Sequence, residues 1–388
     1  MRTLIVHNAY GKYSGEEAVV DGIKAVLERH GHKVAEFRRS SEELADSFCG
    51  KAKGFLNGIY SRSGVRELRE ALEREKPNVV NVHNVFPLIS PAALKECRKA
   101  DVPVVMTIHN YRLICPTGLF MQNGKPCEEC LRKGNEWGCV RHNCEGSLPK
   151  SVGYALRTYA ARKTKAFIDN VDIFSCITNF QREKLIEAGF PSERIRVNPN
   201  FFDVLAEEAP AYDKGEYVAY CGRLSYEKGY DLLLEVARLL PHIRFRFAGA
   251  TREGEVLPML PNVEFVGHIS GDAYQVFVRK ARFIVMPSRC YEGFPMTILE
   301  AAAQGKPCIC PDHGGFSEII GRGDAAIGRL FEPGNINDLA LNVRELWEDT
   351  EAVALLGKRG FAKLCREYSS ERFYERFMAI CSELGVAH

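Results

Sequence analysis

The stretch CYEGFPMTILEAAAQG, residues 290–305, places Glu292 before a Gly-Phe-Pro turn and Glu300 eight residues on, in an otherwise apolar helix. Upstream, FIVMPS reads as a strand, RCYEGF as the turn that follows, and Pro295 as the first helical residue, where its missing N–H costs nothing. The amides of Met296 and Thr297 are then unpaired donors at the positive end of a helix dipole, suited to a phosphate. Glu300 lies on the same face about 5 Å deeper along the axis, where a carboxylate can grip two vicinal hydroxyls such as those of a ribose. Glu292, with Gly293 and Phe294 of the same turn, would meet what lies beyond the phosphates. The plainer alternative is an acid that stabilises the helix dipole and a surface glutamate.

A second constellation weighs against that alternative. In GRLSYEKG, Arg223 and Lys228 follow the strand-like YVAYC, and Gly222 and Gly229 permit close backbone approach at the start of the next helix. Two cations there can neutralise a diphosphate, Arg by bidentate hydrogen bonding and Lys as a point charge. His109 ends the strand VPVVMTI and His83 ends NVVNV, the edge where catalytic groups belong in a parallel sheet. The alternative for each is a histidine bonded to a loop carbonyl. His7 and His313 sit near the same edges and receive no role.

The elements that must position these residues alternate. RTLIVHN, KVAEFRR, PNVVNVHN, VPVVMTIHN, DIFSCIT and RIRVNPN are strand-like, with helix-period segments such as EEAVVDGIKAVLERHG between them. The pattern restarts with YVAYCGR, FRFAG, VEFVG, FIVMPS, PCICPD and IGRLFE. Alternation predicts an α/β chain of two Rossmann-like, doubly wound domains. The first spans 1–205, an acidic proline-punctuated linker 206–216, the second domain 217–368, and a last amphipathic helix 369–388 that can cross back to the first domain. A length of 388 residues agrees with two domains.

Lys+Arg 52 against Asp+Glu 50 leaves a net charge of +2, which argues against nucleic acid as the main partner. The N-terminus has only a short apolar run before His7, and no window reaches the apolar length of a membrane span, so a cytoplasmic location is expected. The basic segment PKSVGYALRTYAARKTKAFI adds either a peripheral contact with the anionic inner membrane face or a solvated basic surface over a packed helix. Cysteines cluster within 115–146 as C-x2-C-x8-C-x4-C. Two close pairs in a cytosolic chain predict a structural zinc on Cys127, Cys130, Cys139 and Cys144, with His142 or Cys115 as substitutes and disulfides as the disfavoured alternative. Cys221, Cys308 and Cys310 read as small core residues.

CGRLSYEKGYDLLLEV, VEFVGHIS and MPSRCYEGFPMTILEAAAQGKPCICPDHGGFSEII resemble the donor half of retaining glycosyltransferases of the GT-B fold, glycosyltransferase family 4. YSGEEAVV, TIHNYRLICPTG and AGFPSERIRVNPNFFD carry the resemblance through the first half. It implies two domains facing across a cleft, and transfer of a sugar from a nucleotide-diphosphate-sugar donor to a glycan, lipid-linked or small-molecule hydroxyl acceptor with retention. No catalytic metal is implied, and the chain has no D-x-D pair. By the resemblance, Arg223 and Lys228 hold the diphosphate, Glu292 the sugar hydroxyls and Glu300 the ribose. The backbone of Gly267, His268 and Ile269 meets the base, Gly15 lies near the diphosphate, and His109 sits over the reacting sugar. The chain departs from the pattern in having Ser14 before Gly15 and Asn110 after His109, where relatives often have glycine and an acid. The competing readings are a nucleotide-sugar epimerase and a non-catalytic, zinc-stabilised binding protein. A glycosidase would need two carboxyl groups about 5 Å apart across one bond and would leave Arg223 and Lys228 without purpose.

Overall fold

The computed structural model describes all residues except 12, 45–47, 205–209, 211, 252–256 and 387–388, and the side chains of 48, 49 and 51–53 are also left out. Two compact units emerge. The first holds Met1–Phe120, Glu128–Asn200 and Phe373–His388; the second holds Met121–Cys127 and Phe201–Arg372. Much of the proposed linker, 206–216, lies outside the described residues. The final helix Ser370–Glu383 has all but its first turn in the first unit, where Arg196 pairs with Glu383 and His32 bonds the Tyr374 hydroxyl.

The first unit is built on β1 (Arg2–Ala9), β2 (Lys33–Ser40), β3 (Val79–Asn84) and β4 (Val104–Ile108). After a short hairpin of β5 (Met121–Gln122) and β6 (Lys125–Pro126), which groups with the second unit, come β7 (Ile173–Cys176) and β8 (Ile195–Val197). These form a parallel six-stranded sheet in the order β2-β1-β3-β4-β7-β8. β3, β4 and β7 are buried along their whole length, as strands covered by helices on both faces must be. The order reverses at β1, so the loops after β1 and β3 diverge and leave a crevice at their carboxyl ends.

The second unit contains β9 (Tyr217–Cys221), β10 (Phe245–Ala248), β11 (Val263–Gly267), β12 (Ala281–Val285), β13 (Cys308–Pro311) and β14 (Gly328–Phe331). Their order is β11-β10-β9-β12-β13-β14, the doubly wound dinucleotide-fold arrangement with its switch between β9 and β12. Val218, Phe245, Phe247, Phe283 and Val285 pack there with Leu233, Leu339 and Leu346 into a fully buried core. Cys221, Cys308 and Cys310 are buried in these strands, as apolar strand context suggested.

The basic helix runs Leu148–Lys163 and buries Ser151, Gly153, Ala155, Arg157, Thr158 and Ala161 in the first unit. Its amphipathic pattern is thus accounted for by packing. Among the described residues no helix is long and apolar enough to cross a membrane.

One glycine ties the second unit's site to its core. Gly229 has φ +69° at the start of helix Tyr230–Leu239, and a Cβ there would run into the carbonyl oxygen of Pro287 after β12. Gly229→Ala therefore combines a left-handed backbone penalty with a clash, and should cost at least about 2 kcal/mol. In thermal unfolding this reads as a loss of roughly 4–8 °C in the transition of the second unit. An unchanged transition would contradict the close approach.

Candidate active site

In the second unit, the carboxyl ends of β9 and β12 bring together Arg223, Lys228, Ser288 and Glu292. Lys228 Nζ donates to Glu292 Oε1 at 2.6 Å, and Ser288 Oγ donates to the same oxygen at 2.9 Å. Burial opposes the charge on Glu292, but Lys228, Ser288 and Arg223 outweigh it and hold the carboxyl below its ordinary range. Burial likewise opposes the ammonium of Lys228, and Glu292 raises it. The two groups expected to contact a ligand separately are bonded to each other. Among the described residues Arg223 is ion-paired only with Glu227, at 3.3 Å, and its side chain is 67% exposed, so it is available to an incoming anion.

Pro295 stands one place earlier than the sequence pattern suggests. It is the cap, with φ −71° and ψ 110°, and Met296 is the first helical residue of Met296–Ala303. The free helix end is still there, because the first bond along it runs from the Ile298 amide to the Pro295 carbonyl. Glu300 Oε2 accepts a 2.6 Å bond from the Tyr274 hydroxyl; burial raises the Glu300 carboxyl and Tyr274 opposes that rise. Gly267 ends the edge strand β11, with His268 and Ile269 just after it; Gly267 has φ +73° and, among the described residues, open space where a Cβ would be.

Phe294 corrects the sequence reading. Its ring is 7% exposed and packs against Tyr368 with centroids 5.3 Å apart, so the side chain anchors the turn in the core and leaves only the backbone to face a ligand. Gly293 serves by its backbone, since a Cβ at Gly315 would strike the Gly293 oxygen. Ser288 was missed, and His313 had been placed near this edge without a role. His313 sits beside the same loop, with Nε2 3.2 Å from the Ser288 carbonyl and its ring 5.3 Å from Tyr291. The signal for Ser288 was its place at the end of FIVMPS, where a hydroxyl can reach the next turn.

In the first unit, the ends of β1, β3 and β4 carry three histidines. His83 Nδ1 and His109 Nε2 share a 2.8 Å hydrogen bond in which one ring donates and the other accepts. His7 is fully buried, with Glu16 at 3.9 Å and Glu17 at 3.7 Å. Glu17 closes the loop before Gly15: its carboxylate accepts from the amides of Tyr10 at 2.7 Å and Ser14 at 2.8 Å, and Ser14 caps the helix Gly15–Arg29. Gly15 is the first residue of that helix, with nothing near a would-be Cβ. Asn110 Oδ1 accepts from the Arg112 amide at 3.0 Å, an Asx turn that aims Arg112 at the Tyr10 hydroxyl, 2.8 Å away. A small cavity of about 20 Å³ opens onto His83, His109, Asn110 and Arg112.

The cysteines only partly assemble. The Cys139 thiol donates to the Ser151 carbonyl at 3.8 Å, and the neighbouring Cys139 and Cys144 thiols pull apart in acidity, Cys144 lowered and Cys139 raised. His142 is bonded to Glu129. Among the described residues no group of three or more His, Cys, Asp or Glu side chains is placed to hold a metal ion, so the tetrathiolate of Cys127, Cys130, Cys139 and Cys144 is not formed as they stand. Cys127 groups with the second unit and the other three with the first.

Residues 13–204 match the model of Glycosyltransferase Family 4, and residues 202–363 match that of Glycosyl transferases group 1. The chain belongs to this glycosyltransferase family. It is 28% identical over 271 residues to an uncharacterized 42.6 kDa protein in the cps region of Klebsiella pneumoniae, covering 68% of this chain and 65% of that one. It is 26% identical over 293 residues to the sulfoquinovosyl transferase of Arabidopsis thaliana, covering 74% and 53%. The matches thus span about half to two thirds of the curated relatives' length. The HepE protein of Anabaena, solved with UDP, superposes with a TM-score of 0.67 at 17% identity over 99% of this chain and 100% of that one. At that identity the likeness is one of fold, the two doubly wound domains of GT-B glycosyltransferases.

Burial lowers His109 from 6.5 to about 4, with Glu17 opposing; it also lowers His7 and takes His83 well below its ordinary value. The folded rings stay neutral where the unfolded chain would take up protons, so their contribution is complete above about pH 6.5 and lost as pH falls toward 4. For His109 alone the loss reaches up to about 3 kcal/mol. Glu16, raised by burial, acts in the opposite sense above its ordinary range. Urea unfolding followed by Trp137 in a Trp347→Phe background should show a lower midpoint at about pH 5 than at pH 7.5. His83→Gln should shrink the difference. Equal midpoints would show that the rings are already charged in the folded unit.

Proposed function

We propose that the chain is a retaining glycosyltransferase that moves a hexose-type sugar from a nucleoside-diphosphate donor to a hydroxyl acceptor, with a surface polysaccharide or glycoconjugate as the product class. The observation that carries the reading is the Lys228–Glu292 pair beside the exposed Arg223 and the free helix end at Met296. On donor binding, Lys228 exchanges Glu292 for a phosphate oxygen, and Arg223 closes on the diphosphate with two parallel N–H bonds. Glu292, released, accepts from sugar hydroxyls, while Glu300 takes the ribose with Tyr274 steadying it.

With two cations and a helix dipole meeting the leaving diphosphate, the developing charge is neutralised by the protein's own groups. Retention follows if the departing phosphate oxygen takes the acceptor proton on the face it leaves. HepE was solved with UDP and with UDP-glucose, which supports a uridine donor. The epimerase alternative would use the same diphosphate contacts but would make product without an acceptor.

The test is calorimetric binding of UDP, GDP, ADP and their glucose conjugates. One base should bind, and Lys228→Ala or Glu300→Ala should weaken it about 10- to 100-fold, the effect of removing a charge-assisted hydrogen bond. Transfer should survive EDTA and give a product with the donor's anomeric configuration. No nucleotide binding, or an inverted product, would overturn the reading.

Zinc on the cysteine cluster of 115–146 is proposed on the thiol spacing C-x2-C-x8-C-x4-C. Metal analysis of protein purified without chelator should find about one zinc per chain, lost in Cys144→Ala. A value near zero would leave the four cysteines as free thiols.

A further inference from the structure

The helix Leu148–Lys163 buries an arginine where its amphipathic pattern calls for a small residue. Arg157 is 8% exposed, its guanidinium 4.2 Å from the Phe86 ring centre and 4.5 Å from that of Tyr154. One nitrogen donates to the Pro116 carbonyl at 3.3 Å, and the buried Nε has no hydrogen-bond partner among the described residues. Arg112 is held by Tyr10, through the 2.8 Å bond to its hydroxyl and a 5.1 Å approach to its ring. Among the described residues neither guanidinium has a carboxylate within ion-pair distance.

The two cations also act on each other. Burial first, and Arg112 second, pull Arg157 down to about 10. Facing them are Glu16, Glu145, Tyr10 and Tyr154, with Lys150 near Glu145. Glu16 already accepts from the Tyr10 hydroxyl, and Glu145 is raised by burial. Buried cations held by aromatic faces and one carbonyl are short of negative charge.

Space adjoins them. Arg112 and Phe86 line both the small cavity at His83 and His109 and a larger one of about 130 Å³ beside Cys130 and Leu131. In the larger one, Glu136 is paired with Arg162 and Glu187 with Lys184, so the lining's carboxylates are engaged while Arg112 and Lys165 are not ion-paired among the described residues.

We propose that this cavity binds a phosphate group carried by the acceptor, with Arg112 in direct contact and Arg157 supplying charge from behind Phe86. A phosphate of charge about −1.5 to −2 matches two guanidiniums, where a carboxylate would leave one uncompensated. The assignment rests on the transferase reading and names its acceptor class. The phosphate belongs either to a lipid-linked headgroup or to a sugar phosphate.

The experiment is titration of the full chain, saturated with UDP so that the second unit's diphosphate site is filled, with inorganic phosphate, geranyl phosphate and glucose 1-phosphate. Phosphate should bind in the millimolar range, and Arg112→Gln should weaken it at least about tenfold, as for any lost charge-assisted bond. Arg157→Gln should weaken it less, and UDP affinity should be unchanged in both, which also shows that the variants fold. Independently of any variant, phosphate should protect Arg112 of the wild type from phenylglyoxal, read by peptide mass spectrometry. Tighter binding of geranyl phosphate assigns a lipid headgroup; tighter binding of glucose 1-phosphate assigns a sugar phosphate. Absence of phosphate binding, an unchanged affinity in Arg112→Gln, or no protection would overturn the proposal. If UDP does not bind, whichever of GDP and ADP does takes its place in the titration; failure of all three would instead strike the donor reading.

Discussion

Parallel strand pairing is the constraint on which everything else rests. When every strand of a sheet runs the same way, each crossover returns to the start, and all following loops and helix N-termini gather at one edge. Where strand order reverses, neighbouring loops part. In the first unit this edge collects His7, His83 and His109 from three strands; in the second it collects Arg223, Ser288 and Glu292 from two. No residue needs a special fold to reach its neighbours.

What these edges hold is polar chemistry taken partly out of water, and the two units handle it differently. The second compensates charge with charge, through Lys228 and Glu292. The first stays neutral at its centre, stacking His83 against His109 at 5.1 Å and bonding one ring to the other. A neutral imidazole offers a donor and an acceptor without the desolvation cost of an ion. The order is built outward from there, with Glu17 holding the glycine loop and Asn110 shaping the turn that aims Arg112.

The strand edges were legible because buried parallel strands are apolar runs, and the runs around VVNVHN and FIVMPS ended where chemistry begins. Glu292, Lys228 and Glu300 were visible from their offsets to a turn and a helix start. That Glu292 and Lys228 pair with each other was not, since 64 residues separate them and only the β9–β12 neighbourhood joins them. The inward orientation of the Phe294 ring was not legible, because a residue in an exposed turn can still point into the core. Position 110 gained a role only with coordinates: an Asx turn is a matter of backbone torsion, which residue type leaves open. The buried Arg157 broke the helix pattern, and a basic surface was the simpler reading of a helix rich in Arg and Lys.

The Lys228–Glu292 pair has a consequence for how the site responds to salt. An empty anion site lined with bare cations draws ions from solution, and binding must displace them, so affinity falls steeply as salt rises. Here Glu292 serves as a tethered counterion that no dilution removes. If a ligand phosphate takes Lys228 from Glu292, as proposed above, the exchange happens within the protein and leaves Arg223 as the main contributor to ionic-strength sensitivity in this cluster. A cation already matched by its neighbour has little pull on the phosphate and chloride around it.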